Sequence, residues 1–222
     1  MCFLVLFFIT GCANIVPPSG GEKDTTAPRV TKTSPVNYAV NFKDSQITIW
    51  FDEYIQLNDL NNIQISPTCK PMPIFSVTGK KLDIKMECNL IDNVTYTINF
   101  GKSISDINEG NILSNFKYTF STGKNIDSLY IKGNISNLYF DVPVDGALVG
   151  LSNSNNIDSL NPYYYNYSNA NGDFILENIK EANYILFAFF DENNNLQYDS
   201  GELTSFPEHI SKFDTTKNIK LF

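Results

Sequence analysis

Apolar and polar residues alternate one for one in short segments along most of this chain, and turn-forming residues separate the segments. Gln46 to Phe51 places Ile47, Ile49 and Phe51 on one face and Thr48 and Trp50 on the other, the two-residue period of a strand. Leu82, Ile84 and Met86 repeat it, as do Tyr96, Ile98 and Phe100, and then Phe116, Tyr118 and Phe120. No segment of comparable strength has a helical period, so the sequence predicts an all-β chain. Gly79 lies between Ile74 to Val77 and Lys81 to Met86, which predicts a hairpin there. From Tyr184 to Phe190 both faces are apolar, which places that strand at the centre of a sheet.

The 222 residues are 42 % hydrophobic, enough for one large core or two ordinary ones. A polar break over residues 124–128, after which the strand pattern restarts at Leu129, favours two tandem β-sandwiches. The first, residues 28–123, is expected to hold about seven strands, and the second covers residues 129–222. A formal net charge of -8 leaves no basic field to neutralise phosphates, so nucleic acid is excluded as a partner.

Cys2 to Ile9 is almost wholly apolar but far shorter than the ~20 residues of a spanning helix. It ends in Ile9-Thr10-Gly11-Cys12, which resembles the bacterial lipobox. That resemblance implies a signal peptide over residues 1–11 and a Cys12 that is lipidated on sulfur and then on its amine, two or more chains giving stable membrane anchoring. No Lys or Arg precedes the apolar run, which suggests a start upstream of Met1. Residues 12–27 carry Pro, Gly, Ser and Thr without apolar periodicity and are expected to form a flexible tether. A lipid anchor implies the cell envelope, with the outer membrane of a Gram-negative bacterium favoured, facing the periplasm or the surface.

Two families are resembled in order. Thr33-Ser34-Pro35, Ile49-Trp50-Phe51-Asp52-Glu53, Thr95-Tyr96-Thr97-Ile98, the Asp106 to Asn111 turn and Phe116 to Thr122 look like the bacterial Ig-like domain of S-layer proteins, which implies a structural or adhesive module. Pro143 to Leu151, Asn169-Ala170-Asn171-Gly172-Asp173-Phe174 and the Tyr184 strand are similar to the transthyretin-like, carboxypeptidase-regulatory-type sandwich, an accessory module. The whole resembles Ig-like-domain lipoproteins of Gram-negative bacteria.

Cys2 and Cys12 belong to the signal and anchor, leaving Cys69 and Cys88 opposite each other across the open end of the Gly79 hairpin. They form either a disulfide, contributing about 3 kcal/mol by loop closure, or two buried thiols. With one distant His209 they do not make a zinc set. Asp52 and Glu53 are adjacent on a strand and point to opposite faces, so they do not flank one bond. The Asp106 to Asn111 segment carries oxygen side chains suited to a cation, but Asp, Asn and Gly are also the residues of a tight turn, which is the reading favoured.

The sharpest chemical signal is Asp191 to Glu202. Asp191, Asn193, Asn195, Asp199 and Glu202 supply oxygen side chains, and Gln197 a backbone carbonyl, at the spacing of a calcium loop. Leu196 stands where such loops carry Gly. The alternatives are a structural Ca2+ site and a solvated Asn-rich turn. Tyr163, Tyr164, Tyr165 and Tyr167 form either an aromatic platform for a glycan or a strand with one aromatic face turned inward.

Three functional readings follow. The first is a non-enzymatic envelope lipoprotein acting as a structural or protein-interaction module, its partner an envelope protein or glycan. The second is a glycan-binding surface lipoprotein that uses the tyrosine run, provided its rings are exposed and coplanar. An enzyme is disfavoured, since a single His and no nucleophile motif leave no catalytic set.

Overall fold

A computed structural model describes residues 21–154 and 160–222. Residues 1–11 and the lipidation site Cys12 lie outside the described residues. Strands β1 (Val30–Ser34), β2 (Gln46–Phe51), β3 (Ile55–Leu57), β4 (Gln64–Ser66), β5 (Ile74–Thr78), β6 (Lys81–Lys85), β7 (Thr95–Asn99), β8 (Ile104–Asp106), β9 (Ile112–Leu113) and β10 (Lys117–Ser121) precede residue 124. After it come β11 (Leu129–Asn137), β12 (Leu148–Ser152), β13 (Tyr164–Tyr167), β14 (Asp173–Ile179), β15 (Tyr184–Phe189), β16 (Glu208–Ile210) and β17 (Thr215–Leu221). Among the described residues the protein is all-β apart from one short 3-10 turn at Leu60–Asn62.

The first ten strands form sheets β1-β2-β6-β5, β10-β7-β4 and the small β3-β8-β9. The third sheet exceeds the expected seven-strand sandwich. Its strands of two or three residues are too short to display a period in sequence. The alternating positions face inward as expected: Ile47, Ile49, Leu82, Ile84, Ile98 and Phe100 are all fully buried. Burial of each such side chain stabilises by about 1.5–3 kcal/mol. The Tyr96 and Phe120 rings stack at 5.4 Å within this core. The Gly79-Lys80 turn joins β5 to β6 with Thr78 opposite Lys81, and Gly79 takes a φ of +62°, as a tight hairpin needs.

The later strands form sheets β14-β11-β17 and β13-β12-β15-β16. Every residue of β15 is buried, in agreement with its two apolar faces. Between the sheets lies a core including Ile131, Val149, Leu151, Phe174, Leu186 and Leu221. A smaller cluster of Leu148, Tyr165, Phe187 and Phe189 sits on the other face of the four-stranded sheet.

The sequence pattern does not reveal that β17 runs parallel to β11, with Gly133 opposite Lys217. A Cβ on Gly133 would lie 1.8 Å from the Lys217 carbonyl oxygen and 2.9 Å from the Phe174 ring. Gly133→Ala is therefore expected to destabilise the second sandwich by about 3 kcal/mol, the upper end for overpacking. Gly146→Ala meets nothing within 4 Å but sits at a φ of +76°, and should cost only about 1 kcal/mol. Denaturant melts of the two variants check this; equal losses would show that β11 and β17 can spread apart.

Candidate functional site

Three groups of residues were expected to carry chemistry, and the fold treats them differently. The tyrosine run becomes β13 and its approach. Neighbouring strand residues point to opposite faces, and here both faces are covered. Tyr164 enters the intersheet core, whereas Tyr165 joins the cluster on the outer face. Tyr163 and Tyr167 pack against those two clusters in turn. Tyr163 meets Tyr164 at 83° and Tyr165 meets Tyr167 at 87°, so the rings are neither coplanar nor freely exposed. Tyr164 and Tyr165 are buried and Tyr163 and Tyr167 half-buried, so the four rings do not form one coplanar exposed face.

The Asp191 to Glu202 segment folds as a hydrogen-bonded loop following β15. Asp191, only 7 % exposed, accepts the Asn195 N–H at 3.1 Å and the Leu196 N–H at 3.0 Å, one on each oxygen. Asn193 and Asn195 donate their amides to the same Asp199 oxygen at 2.7 and 2.8 Å. Glu202 accepts the N–H groups of Glu192 and Asp199, and the Gln197 N–H goes to the Asn195 side-chain oxygen at 2.6 Å. The predicted ligands are thus brought into one network, yet no three His, Cys, Asp or Glu side chains converge on a metal-sized point among the described residues. Leu196 adopts a φ of +62°, the left-handed conformation that glycine supplies elsewhere. Its side chain packs on the Leu148, Tyr165, Phe187 and Phe189 cluster, which offsets the backbone strain and explains why the residue is large.

Cys69 and Cys88 are joined in a disulfide, with Cα atoms 5.5 Å apart. Asp106 is fully buried and accepts the N–H groups of Glu109, Gly110 and Asn111 at 2.6, 3.0 and 2.7 Å. Burial acts to raise its pKa, but these bonds outweigh burial and hold the carboxyl below the ordinary carboxylate range. It is the anchor of a turn. Asp52 likewise caps the chain entry, accepting the Arg29 N–H at 2.8 Å, and the Asn111 amide donates to the Asp24 carbonyl. The last residues of the expected tether are therefore held against the first sandwich.

What sequence reasoning missed is the junction between the sandwiches. Asp127, in the polar break, accepts from the Thr95 N–H at 3.1 Å and its hydroxyl at 2.8 Å, and its own N–H reaches the Thr95 oxygen at 2.8 Å. Asn178, at a φ of +57°, donates to Thr97 Oγ1 at 2.8 Å, and Lys180 donates to the Asn93 carbonyl at 2.8 Å. Lys117 pairs with Glu177. On the other side, the Thr68 N–H bonds the Tyr163 carbonyl at 2.8 Å, and the Tyr165 N–H reaches Ser66 Oγ at 3.3 Å.

Residues 24–122 match the family model of the bacterial Ig-like domain. That match spans the first sandwich, whose terminal β10 ends at Ser121, and the sandwich is called the Ig-like domain after it. No curated protein matches the chain in sequence. Among solved structures, BcpA, the major pilin subunit of Bacillus cereus, is 12 % identical with a TM-score of 0.27, over 87 % of this chain and 70 % of that one. The N-terminal part of the bacterial S-layer protein SbsC is 13 % identical with a TM-score of 0.31, over 86 % of this chain and 44 % of that one. An L,D-transpeptidase from Mycobacterium smegmatis is 11 % identical with a TM-score of 0.29, over 85 % and 76 %. Overlaps this low support no statement about function.

Beside the Ig-like domain, burial pushes the Tyr163 hydroxyl up to about 12, and burial also raises Tyr164 and Tyr167. These hydroxyls stay protonated in the folded state above the ordinary tyrosine value of about 10. Their contribution to stability is complete below pH ~10, where both states are neutral, and is lost as pH rises toward 12 because only the unfolded state ionises. An alkaline titration should show the tyrosinate absorbance band rising together with loss of β-sheet dichroism. Ionisation of all twelve tyrosines near pH 10 with the fold intact would contradict the burial.

Proposed function

We propose that this chain is a non-enzymatic cell-envelope lipoprotein whose two sandwiches form a rigid spacer or protein-interaction module. Lipidation at Cys12 would anchor it, in the outer membrane of a Gram-negative bacterium, facing the periplasm or the surface. The tether would hold the sandwiches away from the bilayer. The second sandwich is read as the transthyretin-like, carboxypeptidase-regulatory type, on the Asn169 to Gly172 turn ahead of β14 and the wholly buried β15. The observation that carries the reading is the junction. Domains joined by a short polar link ordinarily move against each other, and here side-chain and backbone bonds close that freedom from two sides.

A structural Ca2+ site at Asp191, Asn193, Asn195, Gln197, Asp199 and Glu202 is part of the proposal. Leu196 already has the left-handed backbone that such a loop requires at its sharp turn. The ion would replace the amide bonds that now engage Asp199 and would rigidify the loop against the sheet.

Two outcomes test these statements. Nitrogen-15 relaxation should return one rotational correlation time for both sandwiches. Asp127→Ala strips the Thr95 N–H of its side-chain acceptor, at about 1–3 kcal/mol, and should separate the two times; separate times in the unmodified protein would defeat the spacer reading. Thermal unfolding should shift upward in calcium relative to EGTA, by an amount that grows with ion concentration, and Glu202→Ala should remove the shift. An unchanged melting temperature would reduce the segment to an ordinary turn.

A further inference from the structure

Where the sheet β14-β11-β17 meets the Ig-like domain there is an open groove of about 590 Å³. Its side chains are mostly amides and hydroxyls. Lys132 and Asn134 of β11 lie opposite Thr216 and Asn218 of β17 in register, and the two-residue period turns all four to the outer face. Asn99, Asn115 and Lys117 contribute from the Ig-like domain, and Ile175 and Tyr167 add apolar surface.

We propose that this groove binds an uncharged, polyhydroxylated chain, that is, a neutral glycan. The proposal rests on the interaction-module reading above and names its partner class. Of the four tyrosines first considered as a platform, only the half-buried Tyr167 borders this groove.

Three observations favour this ligand. First, hydrogen-bonding capacity is free: among the described residues the side chains of Asn115, Thr216 and Asn218 have no protein partner, although neighbouring Asn166 is satisfied through Ile175 and Tyr167. Asn134 spends its amide hydrogens on Asn171 and Asp173 and keeps an acceptor oxygen. Each amide offers a donor and an acceptor, which matches sugar hydroxyls, themselves both donor and acceptor.

Second, the groove's charged side chains are of both signs, Lys117 and Lys132 with Asp173. Lys117 is paired with Glu177, Lys132 lies over the Tyr130 ring at 5.8 Å, and Asp173 accepts from Asn134 at 3.0 Å. A polyanion would therefore find no free positive cluster, and the protein's net charge of -8 opposes it further. Third, the polar groups project from a sheet face. An extended peptide is recognised along a sheet edge through main-chain bonds, whereas a face of side-chain amides suits hydroxyls. Ile175 and Tyr167 provide apolar surface for the C–H face of a sugar ring.

The test is native gel electrophoresis of the protein through gels containing dextran, galactomannan, laminarin or yeast mannan, with polygalacturonate as the anionic counterpart. At least one neutral polymer should retard the protein, and raised salt should leave the retardation unchanged. Thr216→Val with Asn218→Ala should weaken it by about tenfold, the effect of losing one or two net hydrogen bonds. Asn115 has a φ of +61°, so Asn115→Gly keeps the backbone unstrained and should weaken binding from the opposite wall. Circular dichroism melts confirm that each variant folds. No retardation by any neutral polymer overturns the proposal, as does salt-sensitive retardation by polygalacturonate alone, or variants that bind as the unmodified protein does. The relaxation measurement at the junction does not depend on any of these results, so the spacer reading stands or falls separately.

Discussion

The reciprocal bonding of Asp127 with Thr95 fixes the arrangement of the whole molecule. It lies where the chain leaves the Ig-like domain, and Thr95 is fully buried, so the clasp holds on to the core and not to a mobile side chain. Two residues later β11 begins, the central strand of its sheet. Setting the direction of β11 sets β14 beside it, which is why Asn178 and Lys180 arrive at Thr97 and Asn93. A buried N–H left without an acceptor costs about 1–3 kcal/mol, so the clasp opposes hinge motion at its own position.

The second point of closure protects an edge. β13 ends the four-stranded sheet, and an open edge of unpaired N–H and C=O groups invites pairing with other chains. The Ig-like domain covers it: Thr68 bonds the Tyr163 carbonyl, its hydroxyl bonds the Pro162 carbonyl, and Ser66 accepts the Tyr165 N–H. The tyrosines therefore serve the junction as packed ballast on both faces of a covered strand. Their packing is set by the second sandwich itself, Tyr164 in its intersheet core and Tyr165 in its outer-face cluster; domain contact covers only the strand's backbone edge.

Features that depend on neighbours in sequence were legible. The two-residue alternation placed Ile47, Ile84 and Ile98 in the core, the glycine at position 79 marked the hairpin, and the opposition of Cys69 and Cys88 followed from that hairpin. The residues of the Asp106 turn bond within five positions, so composition favoured a turn there over a cation site. The parallel pairing of β11 with β17 joins positions more than eighty residues apart, and the sheet β3-β8-β9 rests on strands of two or three residues, too short to display a repeating period. In the Asp191 to Glu202 loop the ligand types were evident in the spacing, but Leu196 read as a defect. Its side chain is explained only by the outer-face cluster, which is assembled from β12, β13 and β15.

The junction and the groove are one physical system, because the walls of the groove come from both sandwiches. Preorganised walls spare a ligand the entropy of bringing them together. If the clasp loosened, Asn115 and Asn218 would no longer keep a fixed separation, and a polymer spanning them would bind only in the fraction of molecules that were correctly closed. Linkage makes the relation reciprocal: whatever free energy the junction adds to binding, the bound chain returns to the junction. If the proposed ligand binds across both walls, loading would stiffen the junction, and binding and resistance to bending could not be tuned independently.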